Sequence, residues 1–416
     1  MAQQLDLCIR NARLRKQEDG LVDIGIAGGK ITRVEGSIVN SAMQTLDAEG
    51  ALVTEPFANP HLHLCKVYTL PMMDEEALGY YHGEGMGRAM NAVEVAAKVK
   101  EHYDRSWIIE NGRRALALAA LHGMLYVRAF ADVDNLAGQE GLAAVLVLRE
   151  EFKDLLQVQV VAFAEDGILR EPGAADLIRE SMRMGADVVG GHPFIELTDE
   201  DAHQHVRVLF DIAEDFDADI SMLVDDAGDP GLRQTEMMAV EAIRRGWTGR
   251  VLAHHARAMS SYPVPYYRRL AALLKKADMG VVTNPHTGPL FTRVRELLAD
   301  GIDVTLGQDD ISDAYYPYGR NNMLEVAFLA SHLLWMTTAQ EMETLYDMAT
   351  IIPTRRMRIE HPGIIPGAPA DLVVLAARSV LEALRWHEAP KHVVSRGQVV
   401  DTAKMRQLAG LDESFI

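Results

Sequence analysis

The stretch Pro60-His61-Leu62-His63-Leu64 closes an apolar run that begins near Ala51, and Val53 to Leu64 reads as a buried strand. Side chains alternate along a strand with period two, so His61 and His63 point to one side and can reach a single metal ion. By itself His-x-His is a weak signal, because paired histidines also occur in cores and on surfaces. Here the pair stands at the carboxyl end of a strand and a long series of strand and helix units follows. Barrel enzymes place their chemistry at such strand ends.

Those units recur at regular intervals. After a helical stretch from about Asn91 to Leu121, strands are expected at Leu125 to Val133, Val158 to Phe163, Ala186 to Gly191, Ala218 to Val224, Arg250 to His254, Met279 to Thr283 and Asp303 to Gly307. Helical segments separate them. With the strand ending at His63 these make eight, which predicts an α/β fold closed as a (β/α)8 barrel of the TIM type. A doubly wound sheet would offer fewer strands and a glycine-rich phosphate loop, and no such loop is found. Short strands also read at both ends: Leu5 to Arg10, Val22 to Ala27 and Ile31 to Glu35, then Asp371 to Leu375 and His392 to Val400. Either group alone is too small to bury a core, so the expectation is one small β-sandwich-like domain from residues 1–53 and 363–416, beside a barrel over 54–362.

Composition narrows the partners. The chain has 416 residues and a formal charge of -19, which argues against nucleic acid and anionic membrane, since both call for a basic patch. Only Cys8 and Cys65 are present, with no paired framework, and no segment has the plan of a signal peptide or a membrane span. A cytoplasmic protein with a small-molecule partner is expected.

The residues closing the eight strands surround one cavity in this reading. They are His61 and His63 with Cys65 and Lys66, then Phe130 and Asp132, Glu165 and Asp166, His192, Asp225 and Asp226, His254 and His255, Asn284 and His286, and Asp309 and Asp310. Converging imidazoles and carboxylates can hold a divalent metal, which makes hydroxide available at neutral pH. Each has a plainer reading. Asp309 and Asp310 could cap a helix, His192 before Pro193 could be a turn residue, and Lys66 could be ion-paired or an anchor for an anionic substrate. Cys65 reads as a small buried group, and of the adjacent His254 and His255 only one should face the cavity.

Several of these runs together resemble the amidohydrolase superfamily, in the branch of cytosine deaminase and N-isopropylammelide amidohydrolase. The carriers are Glu55-Pro56-Phe57 through Leu64, Val160-Val161-Ala162-Phe163, Gly185 to Gly190, Gly249 to His255, Gly307-Gln308-Asp309-Asp310, Tyr316 to Gly319 with Asn322-Met323, and Pro369 to Val374. The resemblance covers nearly the whole chain. It implies a hydrolase with one divalent metal, zinc or iron, that attacks a ring carbon bearing an exocyclic amine, and it implies a homo-oligomer. Carried over by position, His61, His63 and Asp309 would be ligands, and Asp309 would also take the proton of the nucleophilic water. His255 would hold the attacking water, Asp226 would protonate a ring nitrogen, and Asp310 would position substrate or His255. Glu165 falls where the family reads the substrate amide, and Lys66 and His192 are candidate substrate contacts from their place at the strand ends.

The departures from that pattern are specific. Leu223 stands where the family has a metal-binding histidine, and leucine has no lone pair to donate. Aligning two residues later would bring Asp225 to a ligand position. Phe130 replaces a histidine, Cys65 an aspartate, and Glu165 a glutamine. An ionised carboxylate only accepts hydrogen bonds whereas an amide also donates, so a plain cytosine edge would be misread. The expected function is hydrolysis of a carbon–nitrogen bond in a small N-heterocycle or cyclic amide by a deaminase of altered specificity. The alternatives are an amide, urea or carbamate amidohydrolase that releases an amine, and an impaired barrel that binds a small molecule.

Overall fold

The computed structural model describes residues 4–16, 20–73, 79–80 and 83–411, and two eight-stranded sheets organise them. The first gathers both ends of the chain: β1 (Leu5–Leu14), β2 (Val22–Ala27), β3 (Lys30–Glu35), β4 (Ala42–Asp47) and β5 (Leu52–Thr54) from one side. The second is the barrel: β6 (Phe57–Leu62), β7 (Met124–Asp132), β8 (Gln157–Ala164), β9 (Val188–Gly191), β10 (Asp219–Val224), β11 (Val251–His255), β12 (Gly280–Thr283) and β13 (Val304–Leu306). Late in the chain β14 (Leu372–Val374), β15 (His392–Ser395) and β16 (Gln398–Val399) rejoin the first sheet, whose order is β16-β15-β14-β5-β1-β2-β3 with β4 on β1.

The terminal strands share one apolar core, in which Leu7, Ile9, Ile24 and Ile26 meet Leu372, Val374 and Val394. β1 serves both halves of it. Its register shifts between Ile9 and Ala12, and Asn11 has φ of +53°, so the strand bends and pairs with β4 at one end and β5 at the other. Both of those pairings are parallel, whereas β1–β2 and β2–β3 are antiparallel. β4 was not anticipated, because most of its side chains are exposed and show no apolar alternation.

All eight expected barrel strands are present, every neighbouring pair from β6 to β13 is parallel, and helices lie between them. Two boundaries differ from the sequence reading. The single strand from Val53 to Leu64 is two, since Glu55-Pro56 interrupts it: β5 stays with the terminal sheet and β6 opens the barrel. The long helix from Asn91 to Leu121 is also divided. One helix covers Ala89–Ala96, a 3-10 segment follows, and Asp104 caps a second helix, Arg105–Leu121, by accepting from the Ser106 amide at 2.9 Å.

Closure of the barrel falls on a candidate site residue. Asp309 donates its amide to the His61 carbonyl at 2.8 Å, and its own carbonyl accepts from the His63 amide at 3.0 Å. The two ends of the barrel are therefore joined by the backbone of residues that carry the chemistry.

Candidate active site

At the carboxyl ends of the strands the backbone is held in conformations that L residues seldom adopt. Asp225, His255, Ala256 and Asp309 all have positive φ, between 47° and 69°. Such positions cost about 1–3 kcal/mol each and persist where the surroundings fix them. Here they turn side chains of β10, β11 and the last strand into one buried space.

Three donors converge in that space. His61 Nε2 lies 3.1 Å from His63 Nε2, and Asp309 Oδ1 lies 3.3 Å from the first and 3.8 Å from the second. Ligand atoms about 2.1 Å from a tetrahedral zinc ion stand about 3.4 Å apart, so this set fits a divalent cation. Its electrostatics agree. Burial holds His61 neutral, with a pKa of about 3, and His63 well below its ordinary value. Burial would raise Asp309, but His255, His61 and Arg257 outweigh it and keep the carboxyl ionised below the usual range. A lone pair on His61 Nε2 requires its proton on Nδ1, which faces His254 Nδ1 at 2.9 Å and the Asn284 side-chain amide at 3.3 Å. His254 is thus beneath His61 in the barrel, while His255 faces the cavity.

The cavity is lined by His63, Lys66, Glu165, His192, Leu223, Asp226, His255, Asp309 and Asp310, with Val93 and Tyr315. Beside His63, Lys66 is bonded to Glu165, and both are buried. Burial alone would lower the Lys66 pKa, but Asp132, Glu165 and Asp310 together lift it well above normal. Glu165 also takes Lys100 Nζ at 3.0 Å, and the same ammonium reaches Asp134 at 2.7 Å and Asp166 at 2.8 Å. The two lysines outweigh burial and hold Glu165 ionised, whereas burial and the Glu165 charge push Asp132 up to about 7. Asp310 is raised well above a normal carboxyl, by burial and then by Asp309 and Asp313. Burial likewise raises Asp226, and Arg257 and His192 offset that only in part.

Two open questions of the sequence receive structural answers. Asp225 accepts from the Gln234 and Thr235 amides at 2.7 and 3.2 Å and from Tyr262 Oη at 2.9 Å, so it anchors the following helix outside the cavity. Cys65 is buried, its Sγ accepts from the Asp132 amide at 3.3 Å, and burial pushes its thiol well up, unlike a nucleophile. Leu223 packs with Phe130, Phe163 and Val188 in an apolar floor, and Phe130 stacks on His61 at 4.7 Å between ring centres. His192 lies next to Leu223 when the β9–β10 register is continued by one residue, and its Nδ1 bonds the Glu165 carbonyl at 3.3 Å. A donating Nδ1 leaves Nε2 as an acceptor, which has no partner among the described residues.

Lys100 and Arg257 were missed by the sequence reading. Lys100 sits in Ala97–His102, a stretch that looks like the solvated face of a helix, and only folding brings it to three carboxylates. Arg257 carried a signal, two residues past His255 at a strand end, that was not weighed.

Comparison with known proteins shows the family. Residues 44–401 match the model of the amidohydrolase family, so the chain belongs to that family. It is a hydrolase of carbon–nitrogen bonds other than peptide bonds. The N-isopropylammelide isopropyl amidohydrolase of Pseudomonas sp. strain ADP is 31% identical over 402 residues, 96% of this chain and 98% of that protein. The structure of 5-methylcytosine deaminase from Klebsiella pneumoniae with 5-fluorocytosine superposes with a TM-score of 0.87 at 28% identity, over 95% of this chain and 97% of that one. N-isopropylammelide isopropylaminohydrolase from Burkholderia multivorans gives 0.81 at 25% identity, over 95% and 97%. No helix among the described residues is long and apolar enough to cross a membrane.

Proposed function

We propose that the chain hydrolyses a carbon–nitrogen bond of a small oxo-substituted N-heterocycle or cyclic amide, as a deaminase of altered specificity with one divalent ion at His61, His63 and Asp309. The convergence of those three donors at the cavity lined by His63, Asp309, Asp226 and His255 supports the reading. When bound, the ion supplies a hydroxide nucleophile at about pH 7. Asp309 is ionised and takes the proton of the attacking water. His255 orients that oxygen. Asp226, with its raised pKa, delivers a proton to the ring nitrogen; the carbon–oxygen bond forms and the amine leaves with its electron pair and a proton.

The wall formed by Lys66, Glu165 and His192 selects the ring. Lys66 offers N–H donors, while Glu165 and His192 Nε2 offer acceptors. A ring that carries an oxo group or oxyanion beside an N–H matches this pattern, and an unsubstituted aminopyrimidine edge does not. One observation favours a second reading. Leu223 turns an apolar side chain into the cavity, where an N-alkyl group would rest, and the relative from Pseudomonas is named for an isopropyl group. An alkylamine would then be released in place of ammonia.

Elemental analysis of protein loaded with zinc, iron or manganese, with His61→Ala as control, tests the centre. About one ion per chain that the substitution removes is expected for a three-donor site. A panel of amino- and N-alkylamino-oxo heterocycles, assayed for ammonia and for alkylamine, then separates the two readings. A protein that holds no ion under any loading and turns over none of the panel would leave a small-molecule binding barrel in their place.

A further inference from the structure

Arg257 leaves the carboxyl end of β11 and is buried, at 1% exposure, among the residues around the cavity. Its Nε donates to Asp226 Oδ1 at 2.6 Å and its Nη1 to the Leu290 carbonyl at 3.1 Å. Nη2 donates to Thr287 Oγ1 at 3.1 Å and to His255 Nδ1 at 3.2 Å. Thr287 Oγ1 in turn stands 2.8 Å from Asp309 Oδ2. One guanidinium therefore touches the acid, the imidazole and, through a hydroxyl, the base. Its seat is shaped for it: a Cβ at Gly288 would lie 2.2 Å from Nη1.

The contact with His255 has a chemical consequence. A guanidinium has donors only, so His255 Nδ1 has to accept. A proton on Nδ1 would set donor against donor at 3.2 Å. The ring's proton is then on Nε2, which stands 3.9 Å from Asp309 Oδ1. By distance alone His255 could join His61 and Asp309 around a cation, and the position Leu223 leaves open would invite it. A protonated Nε2, however, has no lone pair for a cation and can only donate, to an oxygen placed between it and Asp309.

We propose that Arg257 is a positioning residue that locks His255 in the Nε2–H tautomer, so that His255 serves as a hydrogen-bond donor to the attacking oxygen and does not replace the missing fifth-strand ligand. The consequence for ligation rests on the metal-hydrolase reading, and the tautomer does not.

Long-range proton–nitrogen spectra of the full chain labelled with 15N-histidine read the tautomer directly, with and without zinc, His255 being assigned by its loss in His255→Ala. The wild type is expected to carry Nε2–H in both states, and Arg257→Met to shift His255 toward mixed tautomers. In a chelator-competition titration His61→Ala should lose about 100-fold or more in zinc affinity and His255→Ala less than about 3-fold. An Nδ1–H ring in the wild type, or an affinity loss in His255→Ala equal to that of His61→Ala, overturns the proposal. If Arg257→Met does not fold, the wild-type spectrum and the His255→Ala titration still decide. A wild type that binds no zinc yet carries Nε2–H breaks the metal reading and supports the Arg257 lock.

Discussion

The two walls of the cavity differ in how closely they follow the family pattern. One wall, His61, His63, His255 and Asp309, keeps the residue types that the resemblance assigns there, short of the ligand lost at Leu223, and its polar atoms face one another at 3.1 to 3.9 Å. The other wall is rebuilt: Leu223 for a histidine, Glu165 for a glutamine, and a Lys66–Glu165–Lys100 chain of charges behind it. The geometry of a nucleophile and its base tolerates little change, whereas a surface that reads a substrate can change with the substrate. Under the proposed function, this contrast assigns the retained residues to the chemistry and the changed ones mainly to substrate choice.

The contrast can be broken most directly at Asp309. Asp309→Asn should lower turnover by about 1000-fold or more with an unchanged circular-dichroism melt, because the attacking water loses its base. Full activity would remove Asp309 from the mechanism and dissolve the difference between the walls. Next in size is Lys100→Met, which leaves Asp134, Glu165 and Asp166 facing one another without a shared cation. Breaking a buried pair of this kind costs about 3–5 kcal/mol, to be read from the urea midpoint. A loss below about 1 kcal/mol would mean that the charged wall is solvated in practice.

A pH experiment sharpens the same comparison. Burial lowers the pKa of His192 to about 4 from its ordinary 6.5. Above pH 6.5 neither state takes that proton, and as pH falls toward 4 only the unfolded chain does. Wild type should therefore lose up to about 3 kcal/mol across that window that His192→Gln does not lose. Parallel curves of urea midpoint against pH for the two proteins would show His192 to be hydrated in the fold. The smallest effect concerns Leu223→His, which restores a donor at the family position. It should tighten zinc binding about tenfold, near 1.4 kcal/mol. Unchanged affinity would mean that another residue already serves there.

Much of the barrel was legible because its strands are continuous apolar runs ended by polar residues, a pattern local in sequence. His61, His63, Glu165, His192, Asp226, His255, Asp309 and Asp310 were all found by listing strand ends, and all line or adjoin one cavity. Pairings were not legible. Asp225 and Asp226 are adjacent carboxylates after one strand, yet one anchors a helix and the other faces the cavity, because the positive φ at Asp225 turns the chain between them. β4 and the division at Glu55-Pro56 escaped for a related reason, since an exposed strand and a short break leave little apolar periodicity to read.

The order of elements and the residue types at the strand ends followed from the sequence alone, since hydrophobic period and side-chain chemistry are properties of neighbours along the chain. Tertiary structure decided which groups share a proton or a charge. Lys100 meets Asp134, Glu165 and Asp166, and Arg257 meets Asp226 and His255, only because barrel closure brings distant strand ends within hydrogen-bond reach. Burial there makes each of those pairings decisive for protonation state.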